Sequence, residues 1–216
     1  MLDEGHGGMR LADFTGGVNA RLEQHGSKNR VTDARVLALR LYTASTFRRL
    51  NTALRDKGTG RAAGELGFKA CTQRARRCLL CMQAIPRPHA NTFRGITGYL
   101  GCEFESKAMG MDYAFFSAST DVGVAVDLQH GMERTVLFEI EYLRTCPGVD
   151  VSVLSVYPGE KEVLFAPCTG LSLGKADEGA AAGPAGPGAG QARVKVYPTP
   201  ASLEPAGPTG AAGSES

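Results

Sequence analysis

Three short segments carry side chains that could act together on one bond. They are Phe93-Arg94-Gly95, Phe115-Phe116-Ser117-Ala118-Ser119 and Tyr157-Pro158-Gly159-Glu160-Lys161-Glu162-Val163-Leu164. A guanidinium grips phosphate through two parallel hydrogen bonds, and a glycine beside it lets a ligand approach the backbone, which suits Arg94 and Gly95. The Ser117 hydroxyl donates and accepts at once, so it can lock a carboxylate rotamer while facing a ligand. Two glutamates one residue apart can divide labour. A carboxylate can stabilise a developing positive charge and its neighbour can take up a proton, which suits Glu162 and Glu160. Tyr157 stands in the turn just before them. Each residue also has a plainer reading: Arg94 as a surface arginine paired with a carboxylate, the serines as a strand end capping the next helix, Tyr157 as a turn tyrosine packed on its own loop.

These segments need a scaffold. Residues 1–30 are Gly-rich and polar and read as a flexible arm. From Thr32, a plausible N-cap, the apolar spacing of Val36, Leu37, Leu39, Leu41 and Tyr42 predicts a helix. A second helix starts near Ser45, buries Phe47, Leu50, Ala53 and Leu54, and ends at Gly58. A third spans about Gly64–Ala84 and is stopped by Pro86 and Pro88. Thereafter Phe93–Leu100, Met111–Ser117, Thr135–Tyr142, Lys161–Phe165, Gly170–Leu173 and Arg193–Tyr197 read as strands, with a helix at Asp121–His130 capped by Ser119 or Thr120. Residues 174–191 are nearly all Gly, Ala and Pro without a collagen period, which predicts a disordered insertion within the last hairpin. Residues 199–216 read as a disordered tail. The compact domain is therefore 31–198.

Glu139-Ile140-Glu141 repeats the Glu-x-Glu pattern. It lies mid-strand, where both carboxylates would share a solvated face, and it lacks the Tyr-Pro-Gly turn ahead of it, so it is rejected as the chemical pair.

Composition narrows the class. The 216 residues are 43% hydrophobic and 21% charged, ordinary for one soluble domain. A net charge of +2 gives no case for nucleic acid. No stretch is apolar enough to span a bilayer, and Met1–Gly17 has no apolar run of a leader, so a cytoplasmic monomer is expected. Of six cysteines, Cys78 and Cys81 form a C-x-x-C pair. No second ligand pair accompanies them, so no metal is expected and both are read as small apolar residues of a helix.

The order and separation of the three segments resemble the R-S-E signature of the mono-ADP-ribosyltransferases, closest to the arginine-specific branch of vertebrate ectoenzymes and bacterial toxins. The resemblance runs from about Val36 to Tyr197. It implies an α+β fold in which two small, mostly antiparallel sheets form an NAD cleft, with N-terminal helices packed on one side. It implies NAD as co-substrate, held by Arg94, Gly95, Ser117 and Glu162, and pentosyl transfer to an exposed arginine of a target protein, with Tyr157 and Glu160 facing that acceptor. An NAD glycohydrolase using the same pocket, or a non-catalytic domain binding NAD, ADP-ribose or a protein, would carry the same residues.

Overall fold

In the computed structural model, which describes residues 8–55, 66–97, 109–127, 135–173 and 192–199, Phe14, Val18 and Leu22 recur every fourth residue along α1 (Leu11–Gln24) and all are buried. Asp13 Oδ2 accepts the Arg10 N–H at 2.9 Å and closes the first turn. Asn19 pins the following chain, accepting from Val31 N at 2.8 Å and donating to Val31 O at 3.1 Å. Over this stretch the expected arm is thus a core helix. Gly16 and Gly17 mask its apolar stripe in the sequence, and burial of that stripe outweighs their poor helix propensity.

Helix α2 (Asp33–Leu41) follows, with Thr32 at its N-cap position but making no side-chain cap bond. A π-helical turn, Tyr42–Thr46, then leads into α3 (Phe47–Arg55); Ala44 leaves helical geometry at φ −88° and ψ −162°. That break resets the helical phase. Tyr42 is buried, whereas Phe47, expected in the core, is 41% exposed. As the first residue of α3 it turns to the cleft instead of the helical core. Helix α4 (Leu66–Met82) packs along α2 and more lightly on α1 and α3. Cys78 sits in the helical core, where burial pushes its thiol up to about 12, and Cys81 lies 3.8 Å from Arg35 Nη1.

The strands are β1 (Thr92–Thr97), β2 (Met109–Asp112), β3 (Phe116–Ser119), β4 (Thr135–Ile140), β5 (Val149–Asp150), β6 (Glu162–Phe165), β7 (Thr169–Leu173) and β8 (Ala192–Thr199), with α5 (Val122–Asp127) after β3. Their hydrogen-bonded order is β2-β7-β8-β4-β1-β3-β6-β5, antiparallel except for β4 against β8. The series nearly parts between β1 and β3, joined there by the single register pair Phe93 opposite Ser119. Five strands lie on one side of that seam and three on the other. The expected strand Met111–Ser117 is two strands. Asp112 Oδ1 accepts from Ala114 N at 3.0 Å and turns the chain between them, a local bond that competes with the ladder.

Two cores result. Phe115 and Leu164 point with Val149, Val151 and Leu154 into the helices, while Phe116, Ala118, Val163 and Phe165 share a second core with Phe138, Ile140, Leu171 and Val196. Alternation along β3 and β6 therefore feeds both layers. The insertion read from the sequence, 174–191, lies outside the described residues, as do Gly58, Leu100 and Cys102; of the expected tail 199–216, Thr199 ends β8 because it pairs with Gly170, and the rest lies outside them. No described helix is long and apolar enough to cross a membrane.

Candidate active site

A cleft of about 680 Å³ opens at the seam between the two groups of strands, with the π turn and α3 forming its helical wall. Arg94, Gly95, Ser117, Tyr157, Glu160 and Glu162 all line it. The six residues singled out in the sequence are thereby brought to one place. Glu139 and Glu141 do not line it; Glu139 instead accepts from Asn91 Nδ2 at 2.9 Å.

Register explains the central contact. Ser119 lies opposite Glu162, and Ser117 opposite Leu164, so Ser117 and Glu162 are diagonal neighbours on one face. Ser117 Oγ donates to Glu162 Oε1 at 2.6 Å. Glu162 is 7% exposed, and all four residues of β6 are buried. Burial pushes its carboxyl up to about 7; the Ser117 bond and Arg94 pull it down, and the nearby Glu160 pushes it further up. Burial also raises Glu160 from the usual carboxylate range.

Arg94 projects from β1. Its guanidinium carbon lies 4.4 Å from the centre of the Phe116 ring, and Nη1 donates to Ser117 O at 3.1 Å. Burial lowers its pKa from the ordinary value, with Asp112, Tyr42 and Glu162 opposing that shift and Arg55 adding to it. The plainer reading of Arg94 as a surface arginine on a carboxylate does not hold: no ion pair with it occurs among the described residues. A guanidinium with most of its N–H groups uncommitted, at the wall of a cleft this size, fits the pyrophosphate of a dinucleotide.

The glutamate turn is sewn to β3 and α5. Pro158–Glu160 form a 3-10 turn ending at Lys161, which takes the left-handed conformation at φ 47° and ψ 47°. Ser119 Oγ donates to Glu160 O at 2.7 Å and accepts from Asp121 N at 3.0 Å. Thr120 N donates to Lys161 O at 3.2 Å, and Lys161 Nζ pairs with Asp121 Oδ2 at 2.9 Å. Ser119 thus supports the turn, and the expected cap by Ser119 or Thr120 is made instead by Asp121, whose Oδ1 accepts from Gly123 N at 2.9 Å in the first turn of α5. Tyr157 is 46% exposed at the rim.

The helical wall was missed as a site element. Thr43, Ala44, Ser45, Phe47 and Arg48 line the cleft. Tyr42 also lines it, its hydroxyl accepting from Asn51 Nδ2 at 3.0 Å. Thr43 Oγ1 donates to Arg40 O at 2.9 Å and accepts from Val156 N at 3.2 Å, tying this wall to the loop ahead of Tyr157. The signal in the sequence was the hydroxyl-rich run Tyr42-Thr43-Ala44-Ser45-Thr46 between two amphipathic helices.

This fold is that of the ADP-ribosyltransferases. HopU1 of Pseudomonas syringae pv. Tomato DC3000 superposes with a TM-score of 0.63 at 18% identity, over 88% of each chain. The Vis toxin of Vibrio splendidus, in complex with agmatine, gives 0.59 at 19% identity over 90% of this chain and 88% of that one. The chain belongs to the NAD:arginine ADP-ribosyltransferase family, whose model matches residues 14–180. It is 31% identical over 140 residues to secreted exoenzyme S of Pseudomonas aeruginosa, an alignment covering 62% of this chain and 27% of that protein. It thus spans about a quarter of the length of that relative. A solved complex of exoenzyme S with human 14-3-3 protein beta and carba-NAD gives a TM-score of 0.56 at 24% identity, over 87% and 86% of the two chains.

Proposed function

We propose that the chain transfers ADP-ribose from NAD to arginine side chains of target proteins. The observation that carries this reading is the placement of two carboxylates, Glu160 and Glu162, in one cleft, with only Glu162 held by Ser117. In the reaction the bond from ribose C1′ to nicotinamide breaks, and its electron pair leaves with nicotinamide. Positive charge builds on the ribose, and a guanidinium nitrogen of the acceptor closes the new C1′–N bond. Glu162, fixed by Ser117, stabilises that charge in its ionised form without reorganising. Arg94 holds pyrophosphate.

The acceptor sets the role of Glu160. Deprotonating a guanidinium of pKa near 13.8 at pH 7 costs roughly 9 kcal/mol, so its proton must leave as attack proceeds. A carboxylate at the rim, its pKa raised by burial, suits that transfer. The binding of agmatine, a small guanidinium amine, by the Vis protein supports an arginine-like acceptor.

The test is nicotinamide release from NAD with and without agmatine, for the wild type and Glu162→Gln. Release that rises with agmatine, labels it and vanishes in the variant is expected. Release indifferent to agmatine would make the protein a glycohydrolase, and no turnover would leave a binding domain.

A further inference from the structure

The near-neutral total conceals a division of charge. Residues 1–87 hold 16 Lys and Arg against 7 Asp and Glu, a formal +9, whereas residues 88–216 hold 8 against 15, a formal −7. The first set contains the four large helices and the second all the strands. Neither α3 nor α4 contains an acidic residue. Among the described residues no carboxylate pairs with Arg48, Arg49, Lys69, Arg74, Arg76 or Arg77. All six are exposed except Arg76, which is half-buried. So many unpaired cations on two helices that pack together raise a local positive potential which the total charge does not report.

We propose that this basic surface docks an acidic face of the target protein, so that the acceptor is an arginine standing among aspartates and glutamates. The proposal rests on the arginine-transfer reading and names its substrate class. Complementarity carries it. The cleft offers an acid pair, Glu160 and Glu162, and α3 brings cationic surface to the cleft edge at Arg48. The surface that matches both is a lone cation surrounded by acids. Residue choice favours protein over lipid. Arginines outnumber lysines by 13 to 3 within residues 1–87. Anionic lipid attracts both cations alike, whereas the arginine fork matches carboxylates in pairs and is enriched where proteins meet. Phe47 and Leu80 stand exposed on the same two helices as apolar anchors.

The experiment uses the full chain and two fluorescent peptides of about 20 residues, long enough to reach from the cleft across the helices. One carries a single arginine among Asp and Glu, the other a single arginine among Lys. At about 50 mM salt, anisotropy should show the acidic peptide binding at least about tenfold tighter, with the preference fading by about 300 mM. Arg74→Glu/Arg77→Glu should abolish the preference, and Arg74→Gln/Arg77→Gln should weaken it, while both keep the wild-type thermal transition and agmatine-dependent nicotinamide release. Equal binding of the two peptides, or acidic-peptide binding unchanged by charge reversal, would overturn the proposal. So would sedimentation of the wild type with phosphatidylserine vesicles when neither peptide binds. Acidic-peptide binding through Arg74 and Arg77 without any agmatine transfer would uphold the surface and remove the arginine reading instead.

Discussion

Ser117 and Glu162 meet diagonally across two antiparallel strands, hydroxyl to carboxylate at 2.6 Å, within a β6 buried along its whole length. The bond sets the orientation of the carboxylate, and it opposes the burial that would otherwise keep that group protonated. In the proposed transfer it would hold a negative charge beside the sugar carbon.

Removing the hydroxyl should show this in a pH profile. With Glu162 titrating near 7, turnover should fall on the acid side as the carboxylate is protonated. In Ser117→Ala that limb should move to higher pH, because a contribution lowering the pKa is lost. Turnover at pH 8 should drop by roughly 10²–10³, the cost typical of one preorganised hydrogen bond. A profile with an unmoved acid limb would deny the coupling.

Glu162→Gln should abolish activity and stabilise the fold progressively as pH rises from about 4.5 to about 7. The folded pKa, about 7, lies above the ordinary 4.5, so between these values the folded state binds the proton that the unfolded chain has lost. Stability from this group is therefore highest below 4.5 and falls as pH rises through about 7. The penalty amounts to about 3 kcal/mol at pH 8. Thermal melts should show the variant ahead at pH 8 and level with wild type at pH 4.5.

For Glu160→Gln the two half-reactions should separate. The variant keeps Glu162, Ser117 and Arg94, so nicotinamide release without acceptor should stay within a few-fold of wild type. Transfer to agmatine should fall by roughly 10²–10⁴, the usual worth of a positioned proton acceptor. Parallel loss of both would place Glu160 in glycosidic cleavage itself.

The left-handed Lys161 between the two glutamates gives a stability comparison. Lys161→Gly and Lys161→Ala both lose the exposed ion pair with Asp121, which is worth little. Only glycine takes φ 47° without strain, so Lys161→Gly should be the more stable by about 1 kcal/mol in denaturant titration. Equal midpoints would mean the turn is not held in that conformation in solution.

Leu22→Ala tests whether α1 belongs to the domain. Leu22 is fully buried, so its truncation should cost about 2–5 kcal/mol. A loose arm would lose almost nothing, and a change below about 0.5 kcal/mol would restore that reading.

The residues of the candidate site were legible in the chain because they are marked by type at short range. Arg94 beside Gly95, the hydroxyls around Ser117, and Glu160 and Glu162 behind the Tyr157 turn stand out as short segments, and all of them line the cleft. The helices and strands that carry them could be read from apolar spacing for the same reason. Three things could not. Packing against α2 and α4 makes a helix of a glycine-bearing segment, so α1 read as an arm. The break at Ala44 brings Thr43, Phe47 and Arg48 to the cleft, so Phe47, placed in the core by its apolar spacing, faces the site. Strand register decides that Ser117 reaches Glu162 while Ser119 serves the backbone of Glu160. Local preferences fix neither which helix face turns to a cleft nor the pairing of strands 45 residues apart; both follow from which surfaces are buried together.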